Sequence, residues 1–373
     1  MKMLFPFLRP DLPRPEEWVH YLEDAYANRY FSNFGTLATR LANEMSKTYF
    51  QPDYQGLLCS SNTSGITAVL QAINVEGKKV AVPDFTFAAT PHAIFSAGAL
   101  PVVCDIDPTT WELSPESLMS AIKQNPDICA VIHVRPFGLI RDISPIRDVC
   151  KKHGLPLVVD AAAGLGAPSD GANFGSNYGE VEIFSLHATK VFAVGEGGFI
   201  GAPSSMIPKI KATMNFGFNS DRTYSDGLNA KFDEFHAAIG LAMLKKMDDI
   251  VPNRKNHSEA YNEIFNAFEG CVTAKDSGPT PWSTYPVIFN KQISTETIGA
   301  FADNGIEIKK YYWPGIQRGY KGRKKLISME IPNSLQIQDR CACFPVYSDY
   351  TKTLKSQLQE RINSSVSKFI CQN

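Results

Sequence analysis

From about residue 15 to residue 250 the chain alternates short apolar runs with stretches of helical period. The runs are KKVAVPD, LPVVCDID, ICAVIHV, LPLVVDAA, VEIFSLH and GGFIGAP. They are rich in Val, Ile and Phe and bounded by Pro, Gly or Asp, the pattern of buried strands. Between them lie TSGITAVLQAIN, TFAATPHAIFSAG, SPESLMSAIKQN and SPIRDVCKKHG. The last two open with Ser-Pro, which places Ser at the N-cap and Pro at the first helical position. Continuously apolar strands alternating with helices bury both faces of a sheet. The expectation is therefore an α/β fold with a mostly parallel sheet covered by helices on either side.

The texture changes near residue 251. VPNRKNHSEAYNEIFNAFEG reads as a helix leaving the first domain. YPVIFN, ETIGAFADNG, IEIKKYY, CACFPVY and TLKSQLQERIN then mix shorter strands and helices. Residues 1–250 are expected to form a large domain with an extended, proline-rich N-terminal arm. Residues 251–373 are expected to form a smaller α+β domain.

Composition narrows the function. Lys plus Arg is 37 and Asp plus Glu is 38, for a net charge of -1. That balance speaks against nucleic-acid binding or a polybasic membrane anchor. No apolar run approaches the ~20 residues of a spanning helix, and MKMLFPFLRPDLPRPEEW does not read as a signal peptide. The eight cysteines form no CxxC pair, so free, buried thiols in a reducing cytoplasm are expected. The seven histidines form no HxH or HxxxH pair, so no metal is expected.

Ligands of parallel sheets bind beyond the carboxyl ends of the strands. Two such ends stand out. LPLVVDAAAGLGA places Asp160 after one apolar run, and VEIFSLHATKVFAVGEGG places Ser185, His187 and Lys190 after another. A buried carboxylate and lysine are costly unless they pair or serve a ligand. An Asp–Lys ion pair at a sheet edge is one reading. A pyridoxal phosphate site is the other. It needs a lysine for the aldehyde, an acid for the ring nitrogen, helix N-terminal N–H groups for the phosphate and a flat side chain over the ring. Lys190 and Asp160 suit the first two roles. CSSNTSGITAVLQAI offers Ser64, Gly65 and Ile66 for the phosphate, and PDFTFAAT offers Phe85 or Phe87 for the ring.

In this order the segments TSGITA, VPDFTFAATPHAIFSAGALPVVCDID, VVDAAAGLGA, FSLHATKVFAVGEGG and GLNAKFDEFHAAIGL resemble the DegT/DnrJ/EryC1/StrS family. The likeness runs from Asn33-Phe34-Gly35 to PVYSDYT. It implies a fold-type-I transferase that uses pyridoxal 5'-phosphate and moves an amino group from L-glutamate to a keto sugar nucleotide, for surface polysaccharide or glycoside biosynthesis. Lys190 matches the lysine that joins the cofactor as an imine. Asp160 matches the partner of the pyridine nitrogen, Phe87 the stacking aromatic, Ser185 a phosphate-binding serine, and Ser64 and Gly65 the phosphate turn. Asn229, in GLNAKF, matches an asparagine that reaches the phosphate in the neighbouring subunit. That role implies a homodimer with shared active sites.

The chain departs from the family pattern at four places. Ala163 stands where DAAQ or DAAH is usual, Ile66 where SGT is usual, Lys231 where GxNxR is usual, and Phe235-His236 where LQAA is usual. They point to an outlying member with an unusual substrate. The family's dehydratases carry His where Lys190 stands, so the lysine favours a transaminase over a deoxysugar dehydratase. A non-catalytic cofactor-binding homologue has only Ala163 in its favour. His187, His92 and Glu196 read as structural, and Asp105-Ile106-Asp107 reads as a turn. Tyr311, Tyr312 and Trp313 read first as core, with substrate contact as the second reading. Arg29, Asn33, Arg222 and Lys231 are lesser candidates for the substrate side.

Overall fold

The computed structural model describes residues 4–166, 179–218, 223–274, 278, 280–322, 325–349 and 351–370. Its strands are β1 (Tyr54–Cys59), β2 (Lys79–Pro83), β3 (Leu100–Cys104), β4 (Ile128–Val134), β5 (Leu157–Asp160), β6 (Val181–Ser185), β7 (Gly198–Pro203), β8 (Cys271–Thr273), β9 (Tyr285–Phe289), β10 (Ile327–Ser328) and β11 (Cys341–Phe344). The six apolar runs are β2 to β7. They join β1 and β10 in one sheet of order β1-β7-β6-β5-β4-β2-β3-β10. The stretch from β6 through β5, β4, β2 and β3 to β10 is parallel, and β7 runs antiparallel to both β6 and β1. Helices cover both faces, each over its own apolar cluster. The expected α/β class stands, as a mixed and mostly parallel sheet.

β1 has no counterpart among the apolar runs. Its sequence YQGLLC is interrupted by a glycine. The glycine is a packing requirement, because a Cβ at Gly56 would lie 2.3 Å from the Phe199 ring on β7. An aromatic side chain occupies the space that a side chain at 56 would need.

The helices follow their sequence signals. Ser114 caps the helix Pro115–Gln124 by accepting the Ser117 N–H. Gly154, at φ 63, ends the helix Ser144–His153 in the left-handed conformation. The helix Asn62–Ala72 is capped by Ser61. Gly65 on that helix faces the sheet, where a Cβ would meet Cys59 Sγ at 2.9 Å.

The second unit differs from expectation in its joints. Pro252 suggests a helix start, yet one helix runs unbroken from Glu234 to Phe265 through that proline. An interior proline costs ~3 kcal/mol. Packing at both ends offsets this: Leu241, Met247 and Ile250 lie in a core beside the large sheet, and Tyr261, Ile264 and Phe265 lie in the second core. β10 then returns to the edge of the large sheet beside β3. The antiparallel sheet β11-β9-β8 lines the second core. We propose the division into 1–250 and 251–373 as two packing units that share this helix. The arm, from the first unit, packs onto the second, since Phe5 and Phe7 are buried in its core.

All seven described cysteines are free, and no group of metal-ligating side chains occurs among the described residues. No described helix is long and apolar enough to cross a membrane. Substituting Gly56→Ala should lower stability by about 1–3 kcal/mol through overpacking against Phe199. Urea unfolding reads this directly, and an unchanged midpoint would contradict the packing described.

Candidate active site

The strand directions bring several chain segments to one edge of the sheet. β4, β5 and β6 end there at Val134, Asp160 and Ser185. β7 is antiparallel and begins there, with Gly198 paired to both Ser185 and Cys59. The loop between β6 and β7 carries Lys190, and the turn after β1 leads into the helix at Asn62. A cavity of about 430 Å³ opens at this edge. Its walls come from these segments, from Phe87 after β2, and from Ser283, Thr284, Tyr311 and Tyr312 of the second unit.

Asp160 is buried at the floor. Its Oδ2 accepts the Thr90 hydroxyl at 2.7 Å, and its Oδ1 accepts the Asn62 amide and the Ala162 N–H, each at 3.2 Å. Thr90 is in turn 2.7 Å from the Thr86 hydroxyl. Burial pushes the Asp160 carboxyl pKa up, while these donors and the Lys190 charge pull it down. Lys190 is half-buried and lines the same cavity. No ion pair joins Lys190 to Asp160, and its amine has no acceptor among the described residues. Burial lowers the Lys190 pKa, opposed by the charge of Asp160. The two groups are thus near enough to feel each other but are not paired, which removes the ion-pair reading.

The loop holding Lys190 is braced by its neighbours. Lys190 N–H donates to the His187 carbonyl at 2.8 Å, and Ala188 N–H to the Gly195 carbonyl at 2.8 Å. The His187 ring lies 2.9 Å from the Thr189 hydroxyl and 3.5 Å from Glu196. His187 and Glu196 therefore orient the loop, while both also line the cavity. Ser185 lines it too, and its hydroxyl accepts the His187 N–H at 3.3 Å.

Burial separates the two phenylalanines. Phe85 is fully buried, edge-on to Tyr312 with ring centroids 5.2 Å apart. Phe87 is 57% exposed and faces the cavity.

The residues expected to take a phosphate fall outside the cavity wall. Ser64, Gly65 and Ile66 do not line the cavity. Ser64 N–H donates to Ser61 Oγ at 3.1 Å, its hydroxyl accepts the Ser61 N–H at 3.0 Å, and Gly65 N–H donates to the Ser61 carbonyl at 2.9 Å. Ile66 is fully buried. Ser61, Asn62 and Thr63 line the cavity instead. The N–H groups of Asn62 and Thr63, at the first two helical positions, have no acceptor among the described residues, as helix starts require. Reading Ser61 as the N-cap in the sequence would have located them.

Asn229 lies outside this cavity. It is exposed, and its Oδ1 accepts Lys231 Nζ at 2.6 Å. Lys231 also sits 4.3 Å from the Phe216 ring. Arg29, Asn33 and Trp313 are not in the cavity wall, His92 packs edge-on against Tyr320, and Arg222 lies outside the described residues. Asp105 accepts the Asn333 and Ser334 N–H groups, and Asp107 accepts those of Thr109 and Thr110, so neither does acid–base work. Sequence reasoning missed Asn62 and Thr90, which hold Asp160, and Thr86, which pairs with Thr90. It also missed Phe7 and Leu8, through which the arm reaches the cavity. One helical turn separates Thr86 from Thr90, beside Phe87, so the Thr86–Thr90 pair had a spacing signal.

The model of the DegT/DnrJ/EryC1/StrS aminotransferase family matches residues 14–363. The chain belongs to this family. A dTDP-4-amino-4,6-dideoxy-D-glucose transaminase of Shigella dysenteriae is 29% identical over 367 residues, covering 96% of this chain and 97% of the relative. A GDP-perosamine synthase of Vibrio cholerae is 26% identical, covering 83% and 85% of the two chains. The crystal structure of DesI, determined in the presence of its TDP-sugar product, aligns with a TM-score of 0.88 at 25% identity, covering 99% of this chain and 95% of that one. The family member is a fold-type-I enzyme, a transaminase dependent on pyridoxal phosphate. The residues present fit that cofactor. The cavity holds an amine without an acceptor, a buried carboxylate, two free helix N–H groups and an uncovered aromatic ring.

The depressed Lys190 pKa carries a stability signature. A lysine whose folded pKa lies below 10.5 binds fewer protons folded than unfolded. Its burial therefore costs most below the folded pKa, and the cost fades as pH rises to 10.5. The cofactor-free Lys190→Met variant should be more stable than the parent at neutral pH, with the gap closing towards pH 10.5. Denaturant midpoints across pH measure this, and a gap that widens with pH would contradict it.

Proposed function

We propose that the chain moves an amino group from L-glutamate to a keto sugar nucleotide, with Lys190 and Asp160 as the catalytic pair. The observation that carries this is the Lys190 amine, without an acceptor, beside a carboxylate held by three other donors. Pyridoxal phosphate, when bound, supplies an aldehyde for amines and a ring that accepts electrons. Asp160 keeps a proton on the ring nitrogen, because Asn62, Thr90 and the Ala162 N–H hold its carboxylate in place. The Asn62 and Thr63 N–H groups, with the Ser61 and Ser185 hydroxyls, take the phosphate at the helix start. Phe87 covers one ring face. Lys190, whose pKa burial lowers, takes the proton from the donor's α-carbon and, in the second half-reaction, delivers one to the carbon being aminated.

The sugar-nucleotide acceptor is supported by the named activities of the relatives in dTDP-, GDP- and TDP-sugar chemistry. Surface polysaccharide or glycoside synthesis in the cytoplasm is the setting we infer for that product. A shared-site homodimer is the proposed assembly. Phe216, Phe218, Tyr224 and Phe235 are exposed aromatic side chains, and Asn229 is exposed in the same part of the chain. A second copy covering them would bring Asn229 to its neighbour's phosphate.

Protein converted to its pyridoxamine form should aminate one or more members of a panel of 3-keto and 4-keto sugar nucleotides. Mass spectrometry should show each product with an amine in place of a ketone. No mass change across the panel would contradict the acceptor class. For the dimer, Lys190→Ala and Asn229→Asp should each be inactive alone. Co-refolding them should restore roughly a quarter of parent activity, from random pairing of two-fold dimers. A mixture that stays inactive would contradict shared sites.

A further inference from the structure

Tyr312 is held more firmly than a lining residue needs. It is half-buried in the cavity wall. Its ring stacks on Phe137 with centroids 5.0 Å apart and planes 7° from parallel. Its hydroxyl accepts the Phe137 N–H at 3.2 Å. Phe137 itself sits at φ 59 in the left-handed region, a conformation that surrounding contacts must maintain. The phenolic oxygen is therefore fixed in position, while its own proton has no acceptor among the described residues.

The surroundings define what that proton can meet. Gly138, the residue after Phe137, packs directly on the backbone of the segment after β5. A Cβ there would lie 2.1 Å from the Ala163 carbonyl oxygen. The turn that anchors the hydroxyl therefore abuts Ala163, which also lines the cavity and offers only a methyl group. Burial, and more weakly the charge of Asp160, hold the Tyr312 pKa far above its ordinary value. The phenol keeps its proton at physiological pH and acts as a donor. Donors at such places usually find an acceptor.

We propose that the Tyr312 hydroxyl donates a hydrogen bond to an oxygen of the ligand bound beside Ala163, as a specificity-determining contact of this site. The shared chemistry is an oxygen acceptor, on the cofactor ring or on the amino-acceptor substrate. The inference rests on the transaminase reading above. Its atoms require nothing beyond a proton shared between two oxygens.

Two variants test it. Tyr312→Phe removes the proton and the acceptor for Phe137. Replacement of Tyr312 by 3-fluorotyrosine keeps the stack and the acceptor but makes the donor more acidic. If the partner is the cofactor ring, the pH midpoint of the visible absorbance of pyridoxal-phosphate-loaded protein should shift by ~1 unit in the Phe variant. It should shift the opposite way in the fluorotyrosine variant. If the partner is the substrate, absorbance should be unmoved and kcat/KM for the acceptor should fall about tenfold in the Phe variant. Fluorotyrosine, the stronger donor, should then raise it measurably above the parent. Should the Phe variant fail to fold, the fluorotyrosine protein decides alone. Parent-like titration and parent-like kcat/KM in the fluorotyrosine protein, and in the Phe variant where it folds, overturn the contact. Lys190→Ala measured alongside keeps the two ideas separate, since cofactor absorbance retained there contradicts the transaminase reading instead.

Discussion

The buried carboxylate of Asp160 is the constraint around which this site is built. An ionised group in a dry wall is costly, and an ion pair with the nearest lysine would be the simplest relief. The chain relieves it otherwise, with Thr90, Asn62 and the Ala162 N–H. Those donors come from two helices and from the strand's own continuation. Each is thereby tied to the same edge of the sheet. The Lys190 amine is left uncommitted, which suits a group that must form and release a covalent bond.

The second unit completes the cavity, and two further buried aspartates fasten it there. Asp84, just past β2, accepts the Gln317 N–H at 2.7 Å and the Ser334 hydroxyl at 2.9 Å. Asp105, just past β3, accepts the Ser334 N–H at 2.8 Å and the Asn333 N–H at 3.1 Å, at the start of the helix Pro332–Arg340. Acidic groups at a helix start are well placed against its dipole. These contacts hold residues 315–340 against the strand ends. Tyr311 and Tyr312 precede that stretch and enter the cavity wall. The substrate side of the pocket is thus set by chain far from Lys190 in sequence.

Much of this was legible beforehand for a physical reason. Buried parallel strands must be continuously apolar, so β2 to β7 announced themselves, and Asp160 and Lys190 stood out as charges at their ends. β1 was not legible, because its glycine serves a ring on a neighbouring strand rather than its own pattern. The helix through Pro252 was not legible either, since the packing that carries it past the proline is tertiary. Phe87 and Ser185, singled out by motif order, line the cavity. The free N–H groups lay at Asn62 and Thr63 rather than at Ser64 to Ile66, because the helix begins at its serine cap and consumes the later amides. The side-chain donors to Asp160 come from 98 and 70 residues away, a separation that no local pattern encodes.

The most direct test of the account is where the cofactor attaches. Protein loaded with pyridoxal phosphate, reduced with borohydride and digested, should yield one peptide bearing the reduced cofactor, and fragmentation should place the added mass on Lys190. An adduct on a different lysine, or none, would contradict it.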